Sequence, residues 1–185
     1  MTIFENKKLE RNTFRKLRDG ISLNQRENVE KNVRLYIDSY VKGYKNIDYI
    51  GIYWPLKNEV DLRSLKKNFS LALPRCKDKK ELLFYPWDEK PLTKDSEGIL
   101  SPNKSFPLSH KEISMIFVPC LSVDKNLTRL GYGGGYFDKL RTDNNWRNIP
   151  CIGVLTSNCV STIPLTRAKW DIPLSGFITE KEIFV

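Results

Sequence analysis

The chain has 185 residues, of which 40% are hydrophobic and 11% are aromatic. This length and apolar content suit a single domain over residues 1–185, and they exclude a disordered chain, which would contain fewer aromatic residues and a stronger charge bias. The 31 basic and 22 acidic residues give a net charge of +9. Such a charge attracts nucleotides and other polyanions by long-range electrostatics but selects none of them.

The four cysteines and the single histidine do not form a metal-binding pattern. There is no C-x-x-C pair, and His110 alone cannot complete a zinc site. No apolar run approaches the roughly 18 residues of a membrane span, and the first residues lack the basic-then-apolar order of a secretory signal. We therefore expect a cytoplasmic protein with reduced, buried cysteines and no membrane contact.

Two helices are predicted before the first strand. Phe14, Leu17 and Ile21 follow three- and four-residue steps after a basic stretch, which predicts an amphipathic helix with one cationic face. Ser22 and Gln25 then form a capping-box pattern, which is typical of the start of a second helix.

Short apolar runs further along the chain have the pattern of buried β-strands. They are residues 49–54, 71–73, 82–85, 113–118 and 151–155. A helical pattern at residues 62–69 separates the first two, while the polar stretch 88–110 lacks a period and predicts a long surface loop. The expected fold is a three-layer α/β domain with a mostly parallel central sheet flanked by helices, two of them at the N-terminus.

Four of the ten glycines lie within five positions, in the segment 129–138, RLGYGGGYFD. Glycine tolerates positive φ and close backbone approach, so successive N–H groups can turn inward around an anion. A helix beginning at Tyr136 would add the partial positive charge of its N-terminus, and Arg129 a full charge. Asp138 would hold an accompanying Mg²⁺. The segment thus predicts a site for a metal-bound nucleotide, at the carboxyl edge of the sheet.

This segment differs from the common phosphate-binding loops. It lacks the lysine and hydroxyl of G-x-x-x-x-G-K-[ST], and Tyr136 occupies the third glycine position of G-x-G-x-x-G. A flexible glycine-rich hairpin without a ligand is the alternative interpretation.

The segment resembles the hallmark of the 5-formyltetrahydrofolate cyclo-ligase family, R-[LI]-G-x-G-x-G-[YF]-[YF]-D. The matching residues are Arg129, Leu130, Gly131, Gly133, Gly135, Tyr136, Phe137 and Asp138. The resemblance covers most of the chain. Its other elements are the pair Lys7 and Arg11, residues 51–55 with Glu59, and residues 170–174 with 178–180.

The resemblance implies an ATP- and Mg²⁺-dependent ring closure, in which 5-formyltetrahydrofolate becomes 5,10-methenyltetrahydrofolate and ADP and phosphate are released. Phosphoryl transfer to the formyl oxygen would create a leaving group, which N10 of the folate would displace. A protein that performs this reaction mainly positions its substrates and neutralises charge.

The resemblance also implies a role for each matching residue. The ATP-binding residues would be Lys7, Arg11, Arg129 (also catalytic), Leu130, Gly131, Tyr132, Gly133, Gly134, Gly135, Tyr136 and Phe137. Asp138 and Asp171 would hold Mg²⁺. The carboxylate of Glu59 would accept hydrogen bonds from the N–H groups of a reduced pterin, and Trp54, beside Tyr53, would offer a stacking face.

Considered without the resemblance, these residues have plainer interpretations. Lys7 and Arg11 suit a solvated basic face, Trp54 suits a core, and Glu59 and Asp171 suit an ordinary surface. The expected partners are ATP and a reduced folate, bound by a monomer that contacts neither nucleic acid nor membrane. Two alternatives stay open: a relative that binds folate or nucleotide without catalysis, and a basic nucleic-acid-binding module.

Overall fold

The computed structural model describes residues 2–43, 48–88, 90–103 and 106–185. The helices are α1 (Ile3–Asp19), α2 (Leu23–Gly43), α3 (Tyr136–Leu140) and α4 (Asn144–Arg147). The strands are β1 (Tyr49–Gly51), β2 (Leu71–Lys77), β3 (Glu81–Pro86), β4 (Leu92–Lys94), β5 (Leu100–Pro102), β6 (Ile113–Pro119), β7 (Ser122–Asp124), β8 (Arg129–Leu130), β9 (Cys151–Val154), β10 (Val160–Ser161), β11 (Gly176–Ile178) and β12 (Ile183–Phe184).

Both long helices begin at capping boxes. The Thr2 hydroxyl accepts a hydrogen bond from the Glu5 N–H, and the Glu5 carboxylate accepts one from the Thr2 N–H. Ser22 and Gln25 make the same exchange before α2, which confirms the predicted cap. These bonds satisfy N–H groups that have no partner inside the helix. Ile21, predicted to belong to the first helical stripe, lies instead in the connection between the two helices.

Within the described residues, the main sheet has seven strands in the order β12-β11-β9-β6-β1-β2-β3. The inner pairs are parallel, and the edge strands β3 and β12 are antiparallel to their neighbours. The predicted mostly parallel sheet is confirmed. The helix expected at residues 62–69 is a shorter 3₁₀ segment, Arg63–Lys67, which still buries Leu65 against the sheet.

The stretch 88–110 differs from the predicted irregular loop, because it contains the antiparallel hairpin of β4 and β5. Asp95 organises this hairpin, since its carboxylate accepts hydrogen bonds from the N–H groups of Glu97 and Ile99. Local side-chain hydrogen bonds of this kind carry no hydrophobic period, so the sequence pattern did not reveal them. Residues 89 and 104–105 of this stretch lie outside the described residues.

Helices cover both faces of the main sheet. On one face, α2 buries Val29, Val33 and Ile37 against the inner strands. On the other face, the short helices α3 and α4 pack through Phe137 and Trp146. None of the helices in the described ranges is both long and apolar enough to cross a bilayer.

All four cysteines are buried and unpaired, as expected for a chain with reduced thiols. Burial raises the pKa of the Cys76 and Cys120 thiols to about 12. A thiol with such a pKa is a poor nucleophile at neutral pH, so these residues act as small hydrophobic side chains.

Candidate active site

A cleft of about 680 Å³ brings together every residue that the sequence predicted for the site. Its walls come from the start of α1, the segment that follows β1, the β2–β3 hairpin, the turn between β4 and β5, the end of β6, the glycine segment 129–138 and residues 168–171. The cleft lies at the carboxyl ends of the parallel strands. Pro119, the last residue of β6, lines it, and the Pro119 carbonyl accepts a hydrogen bond from Arg129 Nη1 (3.3 Å). Ligands of open α/β sheets bind at this edge.

The glycine segment is a fixed turn that leads into α3. Gly133 has φ +110° and Gly135 has φ +77°, backbone angles that residues with a Cβ rarely adopt. Gly131 is needed for a different reason. A Cβ at that position would stand 2.9 Å from Arg129 Nη1, so any other residue would have to displace the guanidinium.

Arg129 forms a partly buried ion pair with Asp138. Its Nη2 lies 3.0 Å from Asp138 Oδ1, and the Arg129 side chain is 9% exposed while that of Asp138 is 35% exposed. The guanidinium also lies over the ring of Phe137, 5.5 Å from its centroid. Burial alone would lower the pKa of Arg129, but the negative charge of Asp138 keeps it above its ordinary value. The arginine is therefore a permanent, positioned positive charge on the cleft wall.

Helix α1 brings two further cations to the glycine segment. Arg11 Nε donates a hydrogen bond to the Gly131 carbonyl (2.9 Å). Lys7, one turn earlier, forms an ion pair with Asp171, and both side chains are close to 90% buried. The predicted pair of cations on one helical face therefore lines the cleft instead of standing in solvent.

The two aspartates predicted to hold Mg²⁺ both have cationic partners. Asp138 pairs with Arg129, and Asp171 Oδ2 accepts hydrogen bonds from Lys7 and from the Ala168 N–H (2.7 Å). Across the described ranges, no three or more His, Cys, Asp or Glu side chains form a group able to hold a metal. Mg²⁺ often uses one or two carboxylates and completes its shell with phosphate oxygens and water. The two aspartates fit an ion that arrives with a nucleotide, not an all-protein metal cage.

Glu59 is a buried carboxylate that forms part of the same cleft. It is 9% exposed, and its Oε2 accepts a hydrogen bond from the Leu56 N–H (2.7 Å). Its Oε1 is buried and makes no well-formed hydrogen bond among the described residues, but the Tyr132 hydroxyl lies close enough to act as a donor to the carboxylate. Burial raises the pKa of Glu59, and the Tyr132 hydroxyl, the Leu56 N–H and the positive charge of Arg18 oppose this rise.

The aromatic residues after β1 divide between core and cleft. Tyr53 is buried, and its hydroxyl donates a hydrogen bond to the Val60 carbonyl (2.8 Å). Trp54 is half-buried on the cleft wall. Arg63 lies over the Trp54 ring, 4.7 Å from its centroid, and Trp87 packs edge-on at 6.0 Å. Because Arg63 covers one ring face, a stacked ligand has only the opposite face available.

The structure also adds residues to the cleft that the sequence analysis did not assign. Lys80, in the turn between β2 and β3, has a positive φ of 61° and approaches Gly135. Glu97 accepts a hydrogen bond from the Tyr136 hydroxyl (2.5 Å), which raises the pKa of Tyr136 to about 12. Phe4 and Trp170 stand exposed at the mouth of the cleft. The pairing of β2 with β3 and of β4 with β5 brings Lys80 and Glu97 to the glycine segment.

Comparison with known proteins places this cleft in a wider context. The model of the 5-formyltetrahydrofolate cyclo-ligase family matches residues 3–180. A 5-formyltetrahydrofolate cyclo-ligase from Haemophilus influenzae is 29% identical over 175 residues, which are 89% of this chain and 92% of that protein. The Escherichia coli K12 protein of the same name is 32% identical over 79 residues, 42% of this chain and 41% of its own.

Two solved structures share the fold. The 5,10-methenyltetrahydrofolate synthetase of Aquifex aeolicus aligns with a TM-score of 0.75 at 26% identity, over 96% of this chain and 91% of its own. A 5,10-methenyltetrahydrofolate synthetase from Mycoplasma pneumoniae aligns with a TM-score of 0.72 at 22% identity, over 95% and 99% of the two chains. Both likenesses agree with the predicted α/β architecture.

Proposed function

Because the chain belongs to the 5-formyltetrahydrofolate cyclo-ligase family, we propose that it converts 5-formyltetrahydrofolate to 5,10-methenyltetrahydrofolate. The reaction uses ATP with Mg²⁺ and releases ADP and phosphate. The observation that carries this proposal is that one cleft contains both a cationic glycine segment and the buried carboxylate of Glu59.

The cationic side of the cleft suits a triphosphate. Arg129 is a fixed charge, and Lys7 and Arg11 stand on the facing helix α1. Phosphate groups favour such guanidinium and ammonium partners together with backbone N–H groups. We therefore assign ATP binding to these three cations and to residues 130–137, with Arg129 neutralising charge on the transferred phosphoryl group.

The acidic side of the cleft suits a reduced pterin. Glu59 presents a nearly buried carboxylate whose oxygens can accept hydrogen bonds from N–H donors. A hydrogen bond from a ligand N–H to such a charged group contributes about 1.5–3 kcal/mol. The open face of Trp54 would contact the ring.

The proposed reaction has two steps, phosphoryl transfer and ring closure. The terminal phosphoryl group of ATP passes to the formyl oxygen; N10 then attacks the formyl carbon, the C–O bond breaks, phosphate leaves, and N10 loses its proton. The protein holds the reacting groups in line and excludes water. Asp138 and Asp171 would hold Mg²⁺ beside the nucleotide, and the ion when bound supplies positive charge to the phosphates.

The partners follow from the same cleft. We propose that the protein acts as a monomer on ATP and a reduced folate. A concave cleft of about 680 Å³ suits small molecules and not a nucleic-acid backbone. Buried, unpaired cysteines support the predicted cytoplasmic location.

The experiment that tests the proposal mixes the purified protein with 5-formyltetrahydrofolate, ATP and Mg²⁺, and follows the absorbance of the methenyl product. We expect turnover that requires all three components. Asp138→Asn should lower kcat about a hundredfold or more, as when a group that stabilises transferred charge is lost. A folded protein that binds ATP but gives no product would instead be a non-catalytic relative.

A further inference from the structure

A small cavity lies behind the folate-facing carboxylate, separate from the main cleft. Its volume is about 20 Å³, and Glu59 and Tyr132 line both the cavity and the cleft. Arg18, from the end of α1, and Thr156, which follows β9, form part of the cavity wall. Glu59 and Tyr132 therefore line the ligand cleft on one side and face residues of α1 and of the sheet on the other.

Three residues of this wall carry buried polar atoms that make no well-formed hydrogen bond in the described ranges: Arg18 Nε, Glu59 Oε1 and Thr156 Oγ1. Their chemistry is complementary, because the first is a donor, the second an acceptor, and a hydroxyl is both. Buried polar atoms are nearly always satisfied by protein or by ordered water. A cavity of 20 Å³ has room for one water molecule, which requires about two to four polar partners.

Arg18 also contacts the glycine segment directly. Its Nη1 donates a hydrogen bond to the Tyr132 hydroxyl (2.5 Å), and the guanidinium lies 5.2 Å from the centroid of the Tyr132 ring. A hydrogen bond and a cation–π contact on one side chain restrict its rotamer strongly. Tyr132 is thus held between α1 and Glu59.

We propose that Arg18 is a positioning residue that fixes the Glu59 carboxylate for the folate. It acts in two ways: a direct hydrogen bond holds Tyr132 beside Glu59, and one ordered water in the cavity joins Arg18 and Glu59 to Thr156. Arg18 does not touch the substrates. The inference rests on the proposed function, because the carboxylate matters for catalysis only if it binds the folate.

The charge of Arg18 has a second consequence for Glu59. Burial raises the pKa of Glu59, and the positive charge of Arg18 opposes that rise. The other titratable groups that face Glu59 are Tyr53, Tyr132 and Cys120, and burial raises the pKa of each, so they are neutral near pH 7. Removing the charge of Arg18 should therefore raise the pKa of Glu59 further and leave less of it ionised at neutral pH.

The test compares Arg18→Met with Arg18→Lys, and uses Lys16→Met as the matched control, since Lys16 is an exposed cation on the same helix. For Arg18→Met we expect the KM for 5-formyltetrahydrofolate to rise about tenfold at pH 7, the effect of losing one hydrogen bond to a charged group. The KM for ATP should change less than about twofold. The difference in folate KM between Arg18→Met and wild type should shrink as pH rises, because Glu59 ionises again. Arg18→Lys should restore most of the folate affinity.

A rise in the folate KM of Arg18→Met that is the same at every pH would contradict the proposal. An equal rise in the KM for both substrates would also contradict it, because a purely structural defect gives these patterns. Thr156→Val provides a second route that leaves Arg18 intact. It should reproduce a smaller rise in the folate KM, and a high-resolution crystal structure of the wild-type protein should show the bridging water. A Thr156→Val protein with unchanged folate KM, together with a cavity without water, would overturn the water-mediated link.

These outcomes are distinct from failure of the proposed function. If the wild-type protein makes no methenyl product, the proposed function fails, and folate binding followed by tryptophan fluorescence then tests Arg18 with the same variants. If the wild-type protein neither turns over nor binds the folate, both proposals are overturned.

Discussion

Lys7 of α1 forms an ion pair with Asp171, which lies 164 positions further along the chain. The two side chains are 12% and 11% exposed, so the pair is screened little by solvent. It fastens the N-terminal helix to the C-terminal wall of the cleft. Asp171 also accepts the Ala168 N–H, so it has a structural role before any ligand binds.

We therefore predict that Asp171→Ala destabilises the protein in the absence of nucleotide and metal. The change leaves the Lys7 ammonium nearly buried without its partner, and we expect the free energy of unfolding to fall by about 2–4 kcal/mol. Urea denaturation in the presence of a chelator measures it. Asp61→Ala is the control, because its pair with Arg63 is 41–48% exposed and should cost less than about 1 kcal/mol. Equal stability of Asp171→Ala and wild type would restrict Asp171 to ligand binding.

Gly131→Ala should displace Arg129 without altering any charged group. The new Cβ would stand 2.9 Å and 3.1 Å from Nη1 and Cζ of Arg129, and the guanidinium is held by Asp138 and Pro119. We expect kcat/KM for ATP to fall about a hundredfold, as when an oriented donor is lost, with a stability loss of about 1–3 kcal/mol from overpacking.

Gly43→Ala is the matched control for this change. A Cβ at Gly43 meets nothing within 4 Å, so activity should be unchanged. Wild-type kinetics in Gly131→Ala would show that the position of the Arg129 guanidinium does not matter for ATP.

The sequence could predict this part of the site because its signals are local. The glycine crowding between Arg129 and Asp138 and the cap at Ser22 each depend on a few adjacent residues. Apolar runs likewise predicted five of the seven described strands of the main sheet, but not the short strands β11 and β12. These features need no knowledge of which strands become neighbours.

The features that were missed depend on contacts between distant segments. Lys80 reaches the glycine segment only because β2 and β3 pair as a hairpin. Arg18 looks like one more cation of a basic helix until packing brings it to Tyr132. The sequence also could not show that Tyr53 is a core residue and Trp54 a cleft residue, because adjacent aromatic residues at the end of a strand have the same pattern in either role.

Glu59→Gln should weaken folate binding and change how stability depends on pH. The amide keeps the shape but loses the charge, and we expect the folate KM to rise about 10- to 100-fold, the value of a hydrogen bond to a charged group. Initial rates at varied folate and saturating ATP measure it. The KM for ATP is the internal control, and an unchanged folate KM would remove Glu59 from the folate site.

The stability effect follows from the raised pKa of Glu59. Because the folded protein holds this proton more tightly than the unfolded chain, the contribution to stability is fully present below the ordinary value of 4.5 and is lost as pH rises through the higher folded-state pKa. The Glu59→Gln protein has no carboxyl group at this position, so it does not lose this stability as pH rises. Its stability relative to wild type should therefore increase from pH 4 towards pH 7 in ligand-free urea titrations; a constant difference would contradict the raised pKa.

Lys80→Asn should weaken ATP binding while preserving the turn in which Lys80 lies. Lys80 adopts a positive φ of 61°, which asparagine tolerates better than most residues, so the fold should be retained. The Lys80 ammonium lies 3.8 Å from the point where a Cβ added to Gly135 would stand. It is therefore within reach of an anion bound to the glycine segment. We expect the KM for ATP to rise about three- to tenfold at low salt, with less effect at high salt because this exposed charge is screened. Lys111→Met, at the opposite edge of the sheet before β6, controls for net charge, and an equal change in both variants would mean that Lys80 acts only through the general field of the protein.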